Sequence, residues 1–444
     1  MKQSDAYQLN MHYGDDVIGT LTQEKSANLL TLNYAQQWRE RGFAISPHLP
    51  LNEEHGRTAA YNYFDNALPE GEARKLLAEN LGVSEKQVYS QVRAIGRDLS
   101  GAVVFKPTHC DLAAENKPMF RLLEEQELVA RLDRKEDYGL LTWDEKPRLS
   151  VAGVQDKLNV FIDAAGKMGF GDGSLCSTHI LKFERKDCPN LVLNELFCMK
   201  LSRAIGLPTA EVEFRRFGAH PVLIVKRFDR NYVKDANKVL RRHVIDGCQA
   251  LNLSRDHKYE RNLGDGRDVA HIRDGASLPM LFEFCKQTSR PIESKQWLIH
   301  WQLFNLMISN YDSHGKNVSF YFDRQNSSFT PAYDLVNISM FPQFKHVLAM
   351  AMGDEFEPQH IHAYQLADFA ETCHIDKKLL VRNLSELADN VLKQLSGDRF
   401  IKTLQDNPDI TIEDQRYFRT LSDNIVARTT YLKTQAADIA GIVV

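Results

Sequence analysis

Alternating apolar and polar residues near the start of the chain predict a β-hairpin. Leu9, Met11 and Tyr13 alternate with polar residues, and a second apolar run at 17–21 follows the turn at 14–16. A period of two places one set of side chains on one face of a strand. Beyond the hairpin, the spacing of apolar residues predicts helices at 70–81, 85–95 and 115–132 and a strand at 102–105.

The middle of the chain is rich in short apolar runs that are typical of β-strands. They lie at 149–151, 158–162, 177–183, 212–217 and 222–228. One long helix, predicted at 191–205, interrupts them between the third and the fourth. A single intervening helix favours an α+β arrangement over repeated βαβ units. The charged segment 134–148 before these strands is interpreted as a linker.

From about residue 246 onward the pattern is mainly helical. Trp297, Trp301, Phe304 and Ile308 share one face of a predicted helix. Later helices are predicted at 363–373, 378–395 and 413–434. The chain therefore has an α+β pattern in which a β-rich part precedes a helical part, an arrangement that does not identify a function by itself.

Composition narrows the class of protein. With 444 residues, two or three domains are expected. Lys and Arg total 55 against 59 Asp and Glu, so the net charge of −4 argues against a dedicated nucleic-acid binder. The scattered cysteines predict neither zinc nor disulfides, and hence a reduced compartment. The absence of an apolar signal or membrane-length run predicts a cytoplasmic protein without membrane contact.

The strongest candidate for chemistry is a polar segment that follows the long apolar helix. Asp312 and Asn317 are five residues apart, and Asp334 comes 22 residues after Asp312, with a predicted strand pair between them. Protein kinases use such spacing, because one carboxylate orients the attacking hydroxyl while an asparagine and a second carboxylate hold Mg²⁺. The alternative is a loop in which Asn and Asp simply form turns.

A kinase also needs upstream groups that contact phosphate. The segment 150–157 contains one glycine and fits neither a Walker A nor a Gly-rich kinase motif, so it is alternatively an ordinary turn. Lys182 lies within an apolar strand, where a charge is costly to bury; the alternative is an edge-strand lysine that faces water. Glu195 is placed to pair with Lys182, and its alternative is a solvated helix glutamate.

These segments together resemble the HipA toxin kinases, the kinase half of bacterial HipA–HipB toxin–antitoxin pairs. The matching motifs lie at 64–69, 95–103, 149–157, 225–230, 312–317 and 331–334. The resemblance implies a two-lobed protein-kinase-like fold, with a β-rich lobe, a helical lobe and an additional N-terminal α+β subdomain. The implied ranges are 1–145 for the subdomain, 146–230 for the β-rich lobe and 231–444 for the helical lobe.

The resemblance also implies a role for individual residues. Asp312 corresponds to the catalytic base, Asn317 and Asp334 to the Mg²⁺ ligands, and Ser150 to the autophosphorylation position. Lys182 corresponds to the lysine that contacts the ATP phosphates. The other implied ATP-binding residues are Ala152, Gly153, Val154, Gln155, Asp156, Lys157, Lys226, Arg227, Phe228, His314, Gly315, Lys316, Asn317, Tyr333 and Asp334.

Three positions depart from familiar kinase patterns. Asn310-Tyr311 stands where ordinary protein kinases have His-Arg before the catalytic aspartate, and Tyr333-Asp334-Leu335 replaces Asp-Phe-Gly. Both departures agree with the HipA pattern. Lys226 stands where HipA members can carry glutamate, which matters only if the adenine is contacted by that side chain.

The resemblance implies partners as well. They are a helix-turn-helix antitoxin of the HipB type, operator DNA reached through that antitoxin, and a protein substrate in translation, typically glutamyl-tRNA synthetase. Growth arrest, persistence and association with the nucleoid would follow. The basic residues within 238–243 are interpreted as a solvated face. Two alternatives are a small-molecule or lipid kinase and a catalytically inactive co-repressor scaffold.

Overall fold

The computed structural model describes residues 7–24, 29–135, 140, 142–148, 156–324 and 326–444. In this part of the chain the strands are β1 (Gln8–Tyr13), β2 (Asp16–Gln23), β3 (Leu30–Tyr34), β4 (Val103–Pro107), β5 (Met119–Leu122), β6 (Thr142–Trp143), β7 (Lys146–Pro147), β8 (Lys157–Ile162), β9 (Met168–Asp172), β10 (His179–Phe183), β11 (Val212–Phe217), β12 (His220–Lys226), β13 (Arg230–Val233), β14 (Lys238–Arg241), β15 (Val244–Asp246), β16 (Ser319–Phe322) and β17 (Ser327–Phe329).

The α-helices of the same part of the chain are α1 (Gln36–Arg41), α2 (Arg57–Asn66), α3 (Gly71–Leu81), α4 (Val88–Ile95), α5 (Leu112–Glu115), α6 (Glu125–Asp133), α7 (Leu191–Ala204), α8 (Gly247–Ala250), α9 (Leu278–Phe284), α10 (Pro291–Met307), α11 (Ala363–Thr372), α12 (Lys377–Leu395), α13 (Arg399–Gln405) and α14 (Ile412–Ile439). None of the described helices is both long and apolar enough to cross a membrane.

The chain divides into two compact units. Unit one contains Met1–Phe183, Arg216–Ile245 and Tyr321–Asn326, and unit two contains Glu184–Arg215, Asp246–Phe320 and Ser327–Val444. Most strands belong to unit one, and the longest helices belong to unit two. The predicted α+β class, with a β-rich and a helical part, is therefore confirmed, while the division into three consecutive ranges stays a prediction.

The N-terminal hairpin belongs to a four-stranded antiparallel sheet in the order β3-β2-β1-β4. Leu9 pairs with Leu21 on β2 and with Pro107 on β4. The turn between β1 and β2 uses Gly14 at φ +61, a left-handed conformation that glycine adopts without steric cost. The alternating residues Leu9 and Met11 are buried, as the period-two pattern predicts.

A second sheet in unit one has the order β12-β10-β8-β9-β5, with β11 beside β12. One of its faces packs into a core that includes Leu158, Leu181 and Phe183. The same core takes Leu140 and Trp143 from the segment interpreted as a linker, so that interpretation is wrong for these residues.

The prediction of one helix at 115–132 is also wrong, because β5 separates α5 from α6 in this region. Strand β9 was not predicted, since its glycines weaken a strand pattern. A Cβ on Gly169 would lie 2.2 Å from the carbonyl oxygen of Arg121 on β5, so the two strands approach closely only because this residue is glycine.

The predicted helices of unit two are confirmed within a few residues of their bounds. Of the predicted apolar face, Trp301, Phe304 and Ile308 are buried, whereas Trp297 is only half-buried. The carboxyl end of helix α10 also buries two polar side chains, Gln302 and Asn305. The strand pair predicted between Asp312 and Asp334 is present as β16 and β17.

Candidate functional site

The polar segment 310–317 leaves helix α10 through a tight turn. Ser309 has φ +53, in the left-handed region, and the amide of Asn310 donates to the carbonyl oxygen of Asn305 at 2.8 Å. The Asn310 side chain is buried, and its Nδ2 donates to Oδ1 of Asn305 at 2.8 Å. The end of a rigid apolar helix therefore anchors the start of the segment.

Asn310 also connects Asp312, the predicted base, with Asp334, a predicted metal ligand. Its Oδ1 accepts a hydrogen bond from the amide of Asp312 at 3.3 Å, and its Nδ2 lies 3.4 Å from the carbonyl oxygen of Asp334. Asp334 itself has φ +53, a conformation that aspartate tolerates better than most side chains. One buried amide thus holds the backbones of both aspartates, a role that the sequence analysis missed.

Asn317 is fixed by the same segment. Its Nδ2 donates to the carbonyl oxygen of Asp312 at 2.8 Å, and the amide of His314 donates to that oxygen at 2.8 Å. Nδ1 of His314 accepts from the amide of Lys316 at 3.2 Å and caps the short 3-10 turn Gly315–Asn317. Because the amide nitrogen of Asn317 faces Asp312, its Oδ1 points to the other side of the planar group.

The donor atoms of Asn317 and Asp334 fit a hard divalent cation. Both offer oxygen, which Mg²⁺ prefers, and Mg²⁺ commonly takes only one or two protein carboxylates and completes its shell with phosphates and water. Within the described residues, no group of three or more His, Cys, Asp or Glu side chains could hold a metal. A metal ion that is bound partly by these two side chains and partly by substrate phosphates is consistent with so few protein ligands.

Two predicted ATP-binding residues, Lys316 and Tyr333, have their polar atoms in an internal network. Nζ of Lys316 lies 3.2 Å from Oδ2 of Asp246, and both side chains are largely buried. The hydroxyl of Tyr333 donates to the carbonyl oxygen of Lys316 at 2.7 Å and lies 2.6 Å from Oγ of Ser319. Burial raises the pKa of Tyr333 well above its ordinary value, so this phenol stays neutral. The network holds the 315–317 turn in place.

Tyr259 contributes to this site from a separate segment of unit two. Its hydroxyl donates to Oδ1 of Asp312 at 2.7 Å, and its ring meets the imidazole of His314 edge to face, with centroids 5.1 Å apart. Tyr259 lies in an irregular segment far upstream in sequence, and no periodic pattern singles it out. For this reason the sequence alone does not predict its place in the site.

Unit one carries the predicted phosphate-contacting lysines. Lys182 on β10 and Lys157 on β8 are direct antiparallel partners, so their side chains leave the same face of the sheet. Both are about 95% buried. Strand β10 is flanked by β8 and β12 and is not an edge strand, so the alternative of a water-facing edge lysine is wrong.

The predicted adenine-contacting residues follow strand β12. Lys226 is exposed and pairs with His179, whereas Arg227 is buried and its amide donates to the carbonyl oxygen of Thr178 at 2.9 Å. The carbonyl oxygen of Phe228 accepts from the hydroxyl of Tyr321 at 3.3 Å. Lys226, which stands where HipA members can carry glutamate, therefore has its side chain exposed to solvent.

Arg227 has a further role that the sequence analysis did not anticipate. Its guanidinium donates to both carboxylate oxygens of Asp229 at 3.0 Å and to Oγ of Ser177 at 2.8 Å. Nη1 of Arg230 donates to Oδ2 of Asp229 at 2.6 Å. Burial raises the pKa of the Asp229 carboxyl, but the two guanidiniums outweigh burial and hold that pKa well below its ordinary value.

The structure also tests the predictions for Glu195 and for the phosphate loop. Glu195 is 1% exposed within α7, so its alternative as a solvated glutamate is wrong. The predicted Lys182–Glu195 pairing stays a prediction. Asp156 is exposed and lies 3.6 Å from Nζ of Lys135. The remaining residues of the predicted phosphate loop lie outside the described residues: Ser150, Ala152, Gly153, Val154 and Gln155.

Among the basic residues within 238–243, the predicted solvated face is wrong for His243, while Lys238, Arg241 and Arg242 are partly exposed. His243 is 1% exposed, and its Nε2 donates to the carbonyl oxygen of Ile45 at 2.8 Å. The guanidinium of Arg242 lies 3.3 Å from the centroid of the Tyr321 ring, and Nη2 of Arg241 donates to the carbonyl oxygen of Arg97 at 2.7 Å. Each of these three side chains therefore contacts another residue of unit one.

Comparison with known proteins shows which family the chain resembles. Residues 149–395 match a family model described as the HipA-like C-terminal domain, and residues 9–106 match the HipA N-terminal domain. The serine/threonine-protein kinase toxin HipA of Shewanella oneidensis is 40% identical over 391 residues, which cover 88% of this chain and 89% of that protein.

A solved structure matches over nearly the whole chain. It contains HipA and HipB of the Shewanella oneidensis MR-1 toxin–antitoxin system and their operator DNA. The match has a TM-score of 0.89 at 36% identity and covers 98% of this chain and 100% of that one, which confirms the predicted fold. The chain belongs to the HipA family of serine/threonine-protein kinases.

Proposed function

We propose that this kinase transfers the γ-phosphoryl group of ATP to a serine or threonine hydroxyl of a protein substrate, with Asp312 as the base, and that it acts as the toxin of a toxin–antitoxin pair. One observation carries the proposal: buried Asn310 holds the backbones of Asp312 and Asp334, while Asn317 is bonded to the carbonyl oxygen of Asp312. Such a linked set of one base and two metal-binding side chains is what phosphoryl transfer requires.

In the proposed reaction, Asp312 accepts the proton of the substrate hydroxyl. The hydroxyl oxygen forms a bond to the γ-phosphorus as the bond from that phosphorus to the bridging oxygen breaks, and ADP leaves. Positioning and charge neutralisation account for most of the acceleration. The hydrogen bonds that fix the amide and the carbonyl of Asp312 supply the positioning.

Asn317 and Asp334 would hold Mg²⁺ through oxygen atoms. The ion, when bound, neutralises charge on the phosphate oxygens. The two side chains are positioned in different ways. The side chain of Asn317 is held by the hydrogen bond from its Nδ2 to the carbonyl oxygen of Asp312, and the position of Asp334 is set by its left-handed backbone conformation.

Lys182 and Lys157 would contact the triphosphate. Their side chains leave the same face of the sheet, and ammonium groups are suited to bind phosphate oxygens. The loop 152–157 would cover the phosphates, and His314 with Gly315 would line the nucleotide. The backbone of 226–228 would meet the adenine, in which case the identity of the exposed Lys226 side chain has little effect.

Autophosphorylation of Ser150 is proposed as the switch that turns the kinase off. A phosphate adds about −1.5 to −2 charges beside the nucleotide loop, where it would oppose binding of ATP. After incubation with ATP, mass spectrometry should find the phosphate on Ser150 in the wild type and on no residue in Ser150→Ala. Phosphate on another residue in both proteins would refute this assignment.

The proposed partner is a HipB-like helix-turn-helix antitoxin, with operator DNA bound through it. The matched Shewanella structure contains HipA, HipB and operator DNA, which supports such an assembly here. A net charge of −4 is compatible with DNA contact that is made mainly by the antitoxin. The protein would then reside in the cytoplasm and associate with the nucleoid when complexed.

The proposed substrate is a protein of translation, an aminoacyl-tRNA synthetase of the glutamyl type, whose phosphorylation would arrest growth and produce persistence. Lysate incubated with γ-labelled ATP and the wild-type protein should show label in a protein band, and Asp312→Asn should show none. Label in a small molecule would favour a metabolite or lipid kinase. The absence of transfer by the wild type would favour an inactive scaffold.

A further inference from the structure

Within the described part of the chain, the hydroxyl of Tyr259 makes the one side-chain hydrogen bond to the Asp312 carboxylate. It donates to Oδ1 at 2.7 Å. The backbone of Asp312 is separately fixed, since its amide donates to Asn310 and its carbonyl oxygen accepts from Asn317 and His314. These backbone bonds leave rotation of the carboxylate free, and the contact with Tyr259 removes that freedom.

Tyr259 is held rigidly on both sides along the chain. The carbonyl oxygen of Lys258 accepts from the amide of Gly315 at 2.9 Å, and the amide of Glu260 donates to the carbonyl oxygen of Ala349 at 3.0 Å. A Cβ on Gly275 would lie 1.7 Å from the carbonyl oxygen of Tyr259, so close packing also fixes this backbone from behind.

Glu260 strengthens this attachment. Its side chain is 3% exposed, and its Oε2 accepts from the amide of Ala351 at 2.8 Å. Arg273 pairs with its other oxygen. A segment that is anchored by main-chain bonds, a buried carboxylate and a glycine contact is suited to present one side chain in a fixed place.

The Tyr259 hydroxyl does not need a carboxylate partner merely to have its hydrogen bond made. Tyr259 is only half-buried, so water reaches its surroundings, and a tyrosine in such a place is satisfied by solvent. A hydrogen bond to an ionised group is shorter and stronger than one between neutral groups. The 2.7 Å contact therefore acts on Asp312 more than on the stability of Tyr259.

We propose that Tyr259 is a positioning residue that fixes Oδ1 of Asp312, so that Oδ2 is presented to the substrate hydroxyl. This inference rests on the proposed function, in which Asp312 is the base. No hydrogen bond to Oδ2 is found within the described residues. The orientation of the base thus depends on a side chain that lies outside the catalytic segment itself.

The test compares steady-state kinetics of the wild type and Tyr259→Phe, with ATP and a serine-containing protein or peptide substrate. The substitution keeps the ring, and hence the edge-to-face contact with His314, and removes only the hydroxyl. The turnover number kcat should fall about tenfold or more, because the Asp312 carboxylate is no longer held in the orientation that proton transfer requires. The KM for ATP should stay within about twofold, because Tyr259 is not assigned to nucleotide binding.

Tyr431→Phe is the matched control. It removes a hydroxyl in the same unit that bonds to the carbonyl oxygen of Ile361 at 3.2 Å, and its kcat should equal that of the wild type. Tyr259→Met is a second variant without the hydroxyl and should lose kcat at least as strongly. A thermal melt checks that each protein is folded.

The outcomes separate the two proposals. A kcat for Tyr259→Phe equal to that of the wild type overturns the positioning role, and so does an equal loss in Tyr431→Phe. A parallel fall in kcat and in ATP affinity overturns it too, because it would indicate a general disturbance of the site. Asp312→Asn is measured alongside: inactivity of that variant keeps the proposed function even if the Tyr259 inference fails, whereas full activity overturns both.

Discussion

The amide of Gly101 donates a hydrogen bond of 2.8 Å to Oδ2 of Asp229. This contact joins two motifs that lie far apart in sequence, 95–103 and 225–230. Arg230 reinforces it, since its Nη2 donates to the carbonyl oxygen of Leu99 at 2.6 Å and its Nη1 to that of Gly101 at 2.8 Å. The backbone of the 95–103 motif therefore has a structural role, because it forms hydrogen bonds with the buried charged side chains that follow strand β12.

Removal of the central charge of this network should destabilise unit one. Asp229→Asn keeps the shape of the side chain but leaves Arg227 and Arg230 without their shared carboxylate in a buried place. The expected loss is about 3–5 kcal/mol in the free energy of unfolding, measured by urea denaturation. Hydrogen exchange should accelerate in 95–102.

Glu72→Gln is the control for this change. It removes one partner of the exposed pair between Glu72 and Lys75, and should cost less than about 1 kcal/mol. Equal midpoints for the two variants would show that the network adds no stability.

A second prediction concerns the dependence of stability on pH. Burial lowers the pKa of His243 from the ordinary 6.5 to about 4, and the hydrogen bond to Ile45 only partly offsets this effect. The unfolded chain therefore binds a proton before the folded protein does as the pH falls. Stability should be full above about pH 6.5 and should decline down to about pH 4.

Between pH 7 and pH 5, His243 should cost the wild type about 2 kcal/mol of unfolding free energy. Urea denaturation of His243→Gln at both pH values should show a smaller decline than the wild type by about this amount. His271→Gln, which changes an exposed histidine, should follow the wild-type curve. An unchanged decline in His243→Gln would rule out His243 as the source.

The third prediction concerns Asn310. Asn310→Ala removes the bonds to the amide of Asp312 and the carbonyl oxygen of Asp334, so both aspartates lose a fixed position. A displaced base is costly, and kcat should fall about a hundredfold. Asn390→Ala, at an exposed position, should leave kcat unchanged. Steady-state kinetics with saturating ATP and Mg²⁺ measure both, and wild-type turnover by Asn310→Ala would contradict the positioning role.

The fourth prediction concerns the metal. Asp334→Asn preserves the left-handed backbone, because asparagine also tolerates positive φ, but it removes a charged oxygen ligand. The Mg²⁺ concentration for half-maximal turnover should rise at least about tenfold. Asp144→Asn is matched in chemistry and in backbone, since Asp144 has φ +49, and should leave this concentration unchanged. An Mg²⁺ titration of ATP turnover is the measurement, and equal curves would remove Asp334 from the metal site.

The sequence was sufficient to predict the α+β class and the main helices, and it singled out the Asp312–Asn317–Asp334 set, whose roles stay a prediction. These features can be recognised from local periodicity and short spacings along the sequence, for which no knowledge of tertiary contacts is needed. Strand β9 was missed because Gly169 and Gly171 dilute its apolar pattern, although both glycines are required by close backbone contacts. Pairing with neighbouring strands decides such a segment more than its own propensity does.

The rest of the site depends on contacts between distant parts of the chain. Tyr259 reaches Asp312 from an irregular segment, and Asp246 reaches Lys316 across a similar separation in sequence. Neither contact leaves a periodic signal. The burial of Lys182 and Glu195 was likewise misjudged, because a single charged residue in an apolar segment does not reveal whether its strand or helix face is covered.

The central claim is that Asp312 is the base of a phosphoryl transfer reaction. Its most direct test is the rate at which purified wild type, Asp312→Asn and Asp389→Asn transfer phosphate from γ-labelled ATP to protein, with ATP binding measured in parallel. Asp389 is an exposed aspartate in α12 that pairs with Lys433 and serves as the matched control. All three proteins should bind ATP; the wild type and Asp389→Asn should transfer phosphate at the same rate, and Asp312→Asn should show no transfer. Transfer by folded Asp312→Asn at the wild-type rate would contradict the claim.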